Sequence, residues 1–137
     1  MSDLQRLTIR GTRNTPYIDL DPQTGLLIFQ GASIAENPES FFRPVYQWLE
    51  NYIKNPRPVT TVKFFLYFFN TSSSMRILEI FKKLKRLNNS GHKVKIYWYL
   101  LGNDEDMREA GTDYQTIIEI PFEFISVDDK NIDLHTN

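Results

Sequence analysis

The sequence predicts an α/β domain: a mixed sheet of four to five strands packed with three helices and opened by an N-terminal β-hairpin. Three observations support this. Strand-like and helix-like stretches alternate along the chain, which implies crossover connections and a sheet that is parallel at its centre. The longest strand-like run, Val59–Phe69, is apolar on both sides apart from Lys63, as a central strand covered on both faces must be. At 137 residues, with 41% hydrophobic and 24% charged residues, the chain has the size and composition of one globular domain.

Residues 1–15 are polar and weakly patterned, with Leu7 and Ile9 placed for a short strand. Residues 17–20 and 26–30 read as strands joined by Asp21-Pro22-Gln23-Thr24-Gly25, where Pro and Gly sit as a turn requires. Asn37-Pro38-Glu39 is a helix entry: an N-cap, Pro at the first helical position, and an acid in the first turn. Phe41, Val45, Trp48, Leu49, Tyr52 and Ile53 then recur at helical spacing. Pro44 conflicts with an uninterrupted helix, so the pattern implies a later start or a bend near Ser40. Asn55-Pro56-Arg57-Pro58 ends the segment.

After Val59–Phe69 comes Asn70-Thr71-Ser72-Ser73-Ser74, and then a helical stripe of Ile77, Leu78, Phe81 and Leu84, widened by Ile80 and Leu87. Asn88-Asn89-Ser90-Gly91 stops it. Lys93–Leu101 alternates as a strand, with Val94, Ile96, Trp98 and Leu100 on one face and Lys95, Tyr97 and Tyr99 on the other. Residues 104–118 form a weaker helix, acidic at its start, interrupted by Gly111 and ended by Pro121. Phe122–Val127 is the last strand. Residues 1–128 are expected to form the domain, and 129–137 a polar, frayed tail.

Composition narrows function. A formal net charge of −1 argues against bulk electrostatic binding to nucleic acid or anionic membrane. There is no Cys and there are only two His, neither with a partner pattern, so no cofactor or metal site is expected. The longest apolar run is far short of a membrane span and no signal-peptide pattern opens the chain, which points to a cytoplasmic protein. The basic residues Lys82, Lys83, Lys85, Arg86, Lys93 and Lys95 read as a solvated face. Asp104, Glu105, Asp106 and Glu109 read as helix N-terminal charge. No phosphate loop, nucleophile elbow or carboxylate pair is present, so an enzyme is the weaker class.

The strand-to-helix hinge remains. A helix start has free backbone N–H groups and the positive end of the dipole, so a hydroxyl there is a natural place for a phosphate. One Ser or Thr is wanted as a cap in any case. Four in a row exceed that need, and the Glu or Gln of a capping box is missing. The residues alone leave capping and anion binding both open.

The run of hydrophobic strand, Asn70-Thr71-Ser72-Ser73 and helix resembles the SiaC-type regulatory phosphoproteins of bacteria. Gly11-Thr12, Thr15-Pro16, Gly31, Glu36-Asn37 and Trp48-Leu49 carry the resemblance over residues 9–128. It implies a fold like that of the anti-sigma-factor antagonists (STAS-like) and a partner-switching function. A cognate serine/threonine kinase would phosphorylate Thr71, with Ser72, Ser73 and Ser74 as lesser candidates, and a PP2C-like phosphatase would reverse it. The unphosphorylated form would bind and activate a diguanylate cyclase in cyclic di-GMP and biofilm signalling. The expected partner surface comprises Glu36, Asn37, Asn70, Thr71, Ser72, Ser73, Met75 and Leu78. The rival reading is an anionic-ligand binder or enzyme using the same helix start.

Overall fold

The computed structural model describes residues 3–136; the first two residues of the expected domain and Asn137 of the expected tail lie outside them. The elements run β1 (Leu7–Ile9), β2 (Tyr17–Asp21), β3 (Leu26–Ser33), α1 (Pro38–Lys54), β4 (Val59–Phe69), α2 (Thr71–Asn89), β5 (Lys93–Leu101), α3 (Glu105–Ile118) and β6 (Phe122–Val127). Among the described residues the strands form one six-stranded sheet in the order β1-β2-β3-β4-β5-β6. The first three strands are antiparallel neighbours, and β3 to β6 run parallel.

This corrects the expected count of four to five strands. The extra strand is β1, whose three residues are too few to show a period. Its pairing with β2 (Ile9 opposite Ile18) is made across an intervening loop. Leu7 and Ile9 pack against the main core.

Sequential strand order with right-handed crossovers puts all the helices on one face. The main core there joins Phe29, Phe64, Leu66, Trp98 and Leu100 to Phe42, Val45, Trp48, Leu49 and Tyr52 of α1. From α2 it takes Ile77, Ile80, Phe81, Leu84 and Leu87. Phe42 is a core residue the helical spacing had not singled out, while Phe41 and Ile53 are only partly buried. Helix α1 runs through Pro44 without a break. Pro44 and Ser40 are both exposed, so the carbonyl orphaned by the missing N–H faces water.

Nor does Gly111 interrupt α3. A Cβ there would lie 2.6 Å from Trp98 Nε1, so the missing side chain lets α3 settle onto Trp98. Trp98 Nε1 in turn donates to Met107 O at 2.9 Å. The helix closes at Glu119, in the left-handed region at φ 60°, before Pro121 is reached.

The opposite face of the sheet is covered by residues 128–136, which are docked, not frayed. Leu134 is buried with Ile28, Phe65 and Tyr99. The buried Lys63 Nζ donates to Leu134 O at 2.8 Å and to Thr136 O at 3.1 Å. Gln30 Nε2 donates to Lys130 O and Ile132 O. This strap satisfies the one cation in β4 with backbone carbonyls.

At its far end the strap meets Asp19, which is only 2% exposed. Arg6 Nε donates to Asp19 Oδ1 at 2.7 Å, and Tyr17 OH donates to Oδ2 at 3.3 Å. His135 Nε2 lies 2.7 Å from Oδ2, and His135 Nδ1 lies 2.7 Å from Asp133 Oδ1. The second histidine therefore does have partners, Asp133 two positions away and Asp19 brought from 116 positions away.

The hydrogen bonds from Arg6, with support from His135, hold the Asp19 carboxyl down at about 2. His135 is raised by its bonds to Asp19 and Asp133. A depressed acid contributes stability above its ordinary value that is lost as pH falls through the folded one. A raised His contributes stability below its ordinary value that is lost as pH rises past the folded one. Thermal melts should accordingly decline between about pH 4 and pH 2, and again, more weakly, above about pH 6.5. Asp19→Asn should cost about 2 kcal/mol at neutral pH and flatten both limbs.

Candidate functional site

The carboxyl ends of parallel strands are where α/β domains place their helix starts, and so their recognition chemistry. Here β3 leads into α1, and β4 into α2. Gly31 breaks the β3–β4 register with a bulge at φ 135°, and a Cβ there would lie 3.2 Å from Pro16 Cα. The hinge is tied to β3 by Asn70 N donating to Ser33 O at 3.4 Å.

Asn70 caps α2: its side chain accepts from Ser73 N at 2.9 Å, and its carbonyl accepts from Ser74 N at 2.9 Å. The expected capping role of a hydroxyl is thus corrected; the four hydroxyls occupy the first four helical positions. The N–H groups of Thr71 and Ser72 have no intrahelical acceptor, and the first turn carries no acid.

Geometry separates the four. Thr71 and Ser72 are exposed. Ser73 is fully buried, its Oγ sealed from solvent and without a hydrogen-bond partner among the described residues. Ser74 is half-buried; Tyr114 OH donates to its carbonyl at 2.9 Å and to its Oγ at 3.2 Å. Burial pushes the Tyr114 phenol up to about 12, so it stays a donor at neutral pH. An enzyme acting on this run from outside can reach Thr71 and Ser72.

Beside them lies a shallow depression of about 410 Å³. One wall is the start of α1: Glu36, Asn37, Pro38 and Glu39. The other is Thr71, Ser72, Met75 and Arg76 of α2. Asn37 caps α1 by accepting from Ser40 N at 3.1 Å, and Glu39 supplies the acid in that first turn. The two helices are joined by Tyr46 OH donating to Arg76 O at 2.8 Å. In its lining Met75 is 53% exposed, and Phe68, two residues before Asn70, is 52% exposed.

Of the expected surface, Glu36, Asn37, Thr71, Ser72 and Met75 meet at this depression, with Asn70 exposed beside them as the cap. Ser73 is sealed, and Leu78 packs against the core. Glu39, Arg76, Phe68 and Tyr114 had not been singled out. Arg76 had a signal, since it stands four positions after Ser72 on the same helical face. Tyr114 had none, because its contact is made across helices 40 positions apart. Three residues of the six-residue basic face are paired: Lys83 and Arg86 with Glu50, and Lys85 with Glu119. Asp104 caps α3 by accepting from Met107 N.

Exposed hydroxyls on an acid-free helix start, rimmed by apolar side chains, define a surface-recognition domain of the α/β class. The chain belongs to the SiaC family of regulatory phosphoproteins, whose family model matches residues 9–127. An uncharacterised protein of Pseudomonas aeruginosa strain UCBPP-PA14 is 30% identical over 122 residues, 89% of this chain and 94% of the relative. The crystal structure of apo-SiaC from P. aeruginosa is similar, with a TM-score of 0.81 at 27% identity over 88% of this chain and 98% of that one. A chain from the crystal structure of the diguanylate cyclase SiaD in complex with its activator SiaC, also from P. aeruginosa, gives 0.83 at 28% identity over 88% and 99%. Among the described residues no helix is long and apolar enough to cross a membrane.

Replacing Asn70 by Ala removes the only side-chain cap of α2. It should lower unfolding free energy by about 1 kcal/mol in chemical denaturation, whereas Ser72→Ala should change it by less than about 0.5 kcal/mol.

Proposed function

We propose that this regulatory phosphoprotein is a partner switch: its unmodified form binds and activates a diguanylate cyclase, and phosphorylation of Thr71 releases that partner. The observation that carries the choice of site is the split among the hydroxyls, with two exposed at the helix start and two withdrawn. Between Thr71 and Ser72, the family resemblance favours Thr71, directly after Asn70. The cyclase follows from the similarity to SiaC, which is named as the activator of SiaD. A cognate serine/threonine kinase and a PP2C-like phosphatase complete the cycle, which runs in the cytoplasm. Kinship to the anti-sigma-factor antagonists belongs to this same reading, as does the treatment of 1–128 as the regulatory domain.

The mechanism needs no refolding. A phosphate brings about −1.5 to −2 charges to the first position of α2. There it meets free N–H groups and Arg76, but also Glu36 and Glu39. Its main effect falls on docking, because a partner covering Met75 and Phe68 would have to strip water from a dianion.

The test is phosphate mapping after incubation with the cognate kinase and ATP. Thr71→Ala should abolish incorporation while Ser72→Ala leaves it intact, and full modification persisting in Thr71→Ala would overturn the assignment. By calorimetry, Thr71→Glu should weaken cyclase binding by about a hundredfold, or about 3 kcal/mol; unchanged affinity would count against gating by charge.

A further inference from the structure

A second cavity, of about 430 Å³, lies next to the hinge and is lined by Phe68, two residues before Asn70. Its walls are the loop between β1 and β2, with Thr12 and Arg13, and the end of β4, with Tyr67. Gly31 opens its floor, and Lys130 reaches it from the strap. The loop is a built feature: Thr12 Oγ1 accepts from Asn14 N at 3.2 Å and Thr15 N at 3.0 Å, and Ile34 N donates to Asn14 O at 2.9 Å. Lys130 is held over the Tyr67 ring at 5.8 Å, while Tyr67 OH donates to Lys130 O.

The charge here is one-sided. Arg13 and Lys130 are exposed, neither forms an ion pair among the described residues, and no carboxylate lines the cavity. Asp128 and Asp129 precede Lys130 on the strap and stand outside the lining; Asp129 Oδ1 accepts from Asn131 N, and its charge also reaches the Tyr67 phenol of the cavity wall. The depression on the other side of the hinge has the opposite bias, with Glu36 and Glu39. The hinge thus separates a cationic cavity from an acidic one, with Phe68 and Met75 exposed along it. Lys130 lies just beyond residues 9–127, which the family model matches.

We propose that this cavity is the second anchor of the docking surface and takes carboxylate side chains of the cyclase that engages the hinge. This rests on the cyclase reading above. Among the described residues neither cation forms an ion pair and no carboxylate lines the cavity, so an acidic side chain carried past the exposed Phe68 would meet both. Pairing at such an exposed rim acts mainly through association rate and salt dependence.

The experiment uses the full unphosphorylated chain and its cognate cyclase. By calorimetry and stopped-flow, Arg13→Glu with Lys130→Glu should weaken binding about tenfold, chiefly by slowing association, and should flatten the salt dependence. Arg13→Lys should retain binding, and Lys82→Glu, on the exposed side of α2, should change nothing. Coincident thermal melts would show that the variants fold. The inference is overturned if the double reversal binds like wild type while Thr71→Glu does not bind. It is equally overturned if inorganic phosphate stabilises the wild type but not the reversal and cyclase affinity is unmoved, which would make the cavity a small-anion site. Failure of the wild type to bind the cyclase at all would instead sink the functional reading beneath it.

Discussion

Phe64 and Phe65 are neighbours on β4 that point into opposite cores. Phe64 stacks on Phe29 at 4.4 Å and meets Phe81 at 4.8 Å and Trp98 at 5.9 Å beneath the helices. Phe65 packs against Tyr67, Tyr99 and Leu134 beneath the strap. A one-residue slip of β4 would exchange these faces and drive Lys63 into the helical core. Each fully buried aromatic is worth about 2–3 kcal/mol of transfer free energy, so the register is strongly held. The position of the hinge follows, since Asn70 comes directly after the last residue of the strand.

From that anchor the hinge is built by satisfying backbone groups one at a time. Ser33 O receives Asn70 N, Asn70 Oδ1 receives Ser73 N, and Tyr114 OH closes on Ser74. Two successive hydroxyls are consumed by the fold in this way, one buried and one clasped. The two before them are left on the surface by the same helical rotation that turns Ser73 and Ile77 inward. Exposure of Thr71 is therefore a consequence of core packing several residues away.

Local chemistry was legible in the sequence; long-range closure was not. The apolar run of β4, the stripe of α2 and the alternation of β5 each carry their own period, and the structure follows them. β1 was too short to count as a strand without its partner β2. The strap looks polar because Leu134 and Ile132 are its apolar contacts, while carbonyls facing Lys63, Gln30 and Tyr67 and the pairing of His135 with Asp19 supply the rest of its hold. Gly111 resembles a helix breaker until Trp98 is seen to need its space. At the site, Thr71 and its neighbours could be found, but not the withdrawal of Ser74, which depends on Tyr114. The sequence left the cap open between Asn70 and the hydroxyls after it, because Asn and Ser cap about equally well.

The two helix starts that meet at the hinge differ in one respect that matters for a switch. Helix α1 begins with Glu39 in its first turn, so its dipole already has a negative partner; α2 begins without one. A phosphate on Thr71 would supply it, gaining about 0.3–1 kcal/mol from the dipole. Like charge on Glu36 and Glu39 works against that gain, and Arg76 works with it. These opposing contributions are each of the order of a surface ion pair, about 1 kcal/mol or less. The domain should thus be nearly indifferent to the modification. Dehydrating the same dianion under an apolar partner costs several kcal/mol. A charge that is almost neutral to the fold and expensive to the interface is what a reversible switch requires, and an acid-free helix start beside an acid-bearing one provides it.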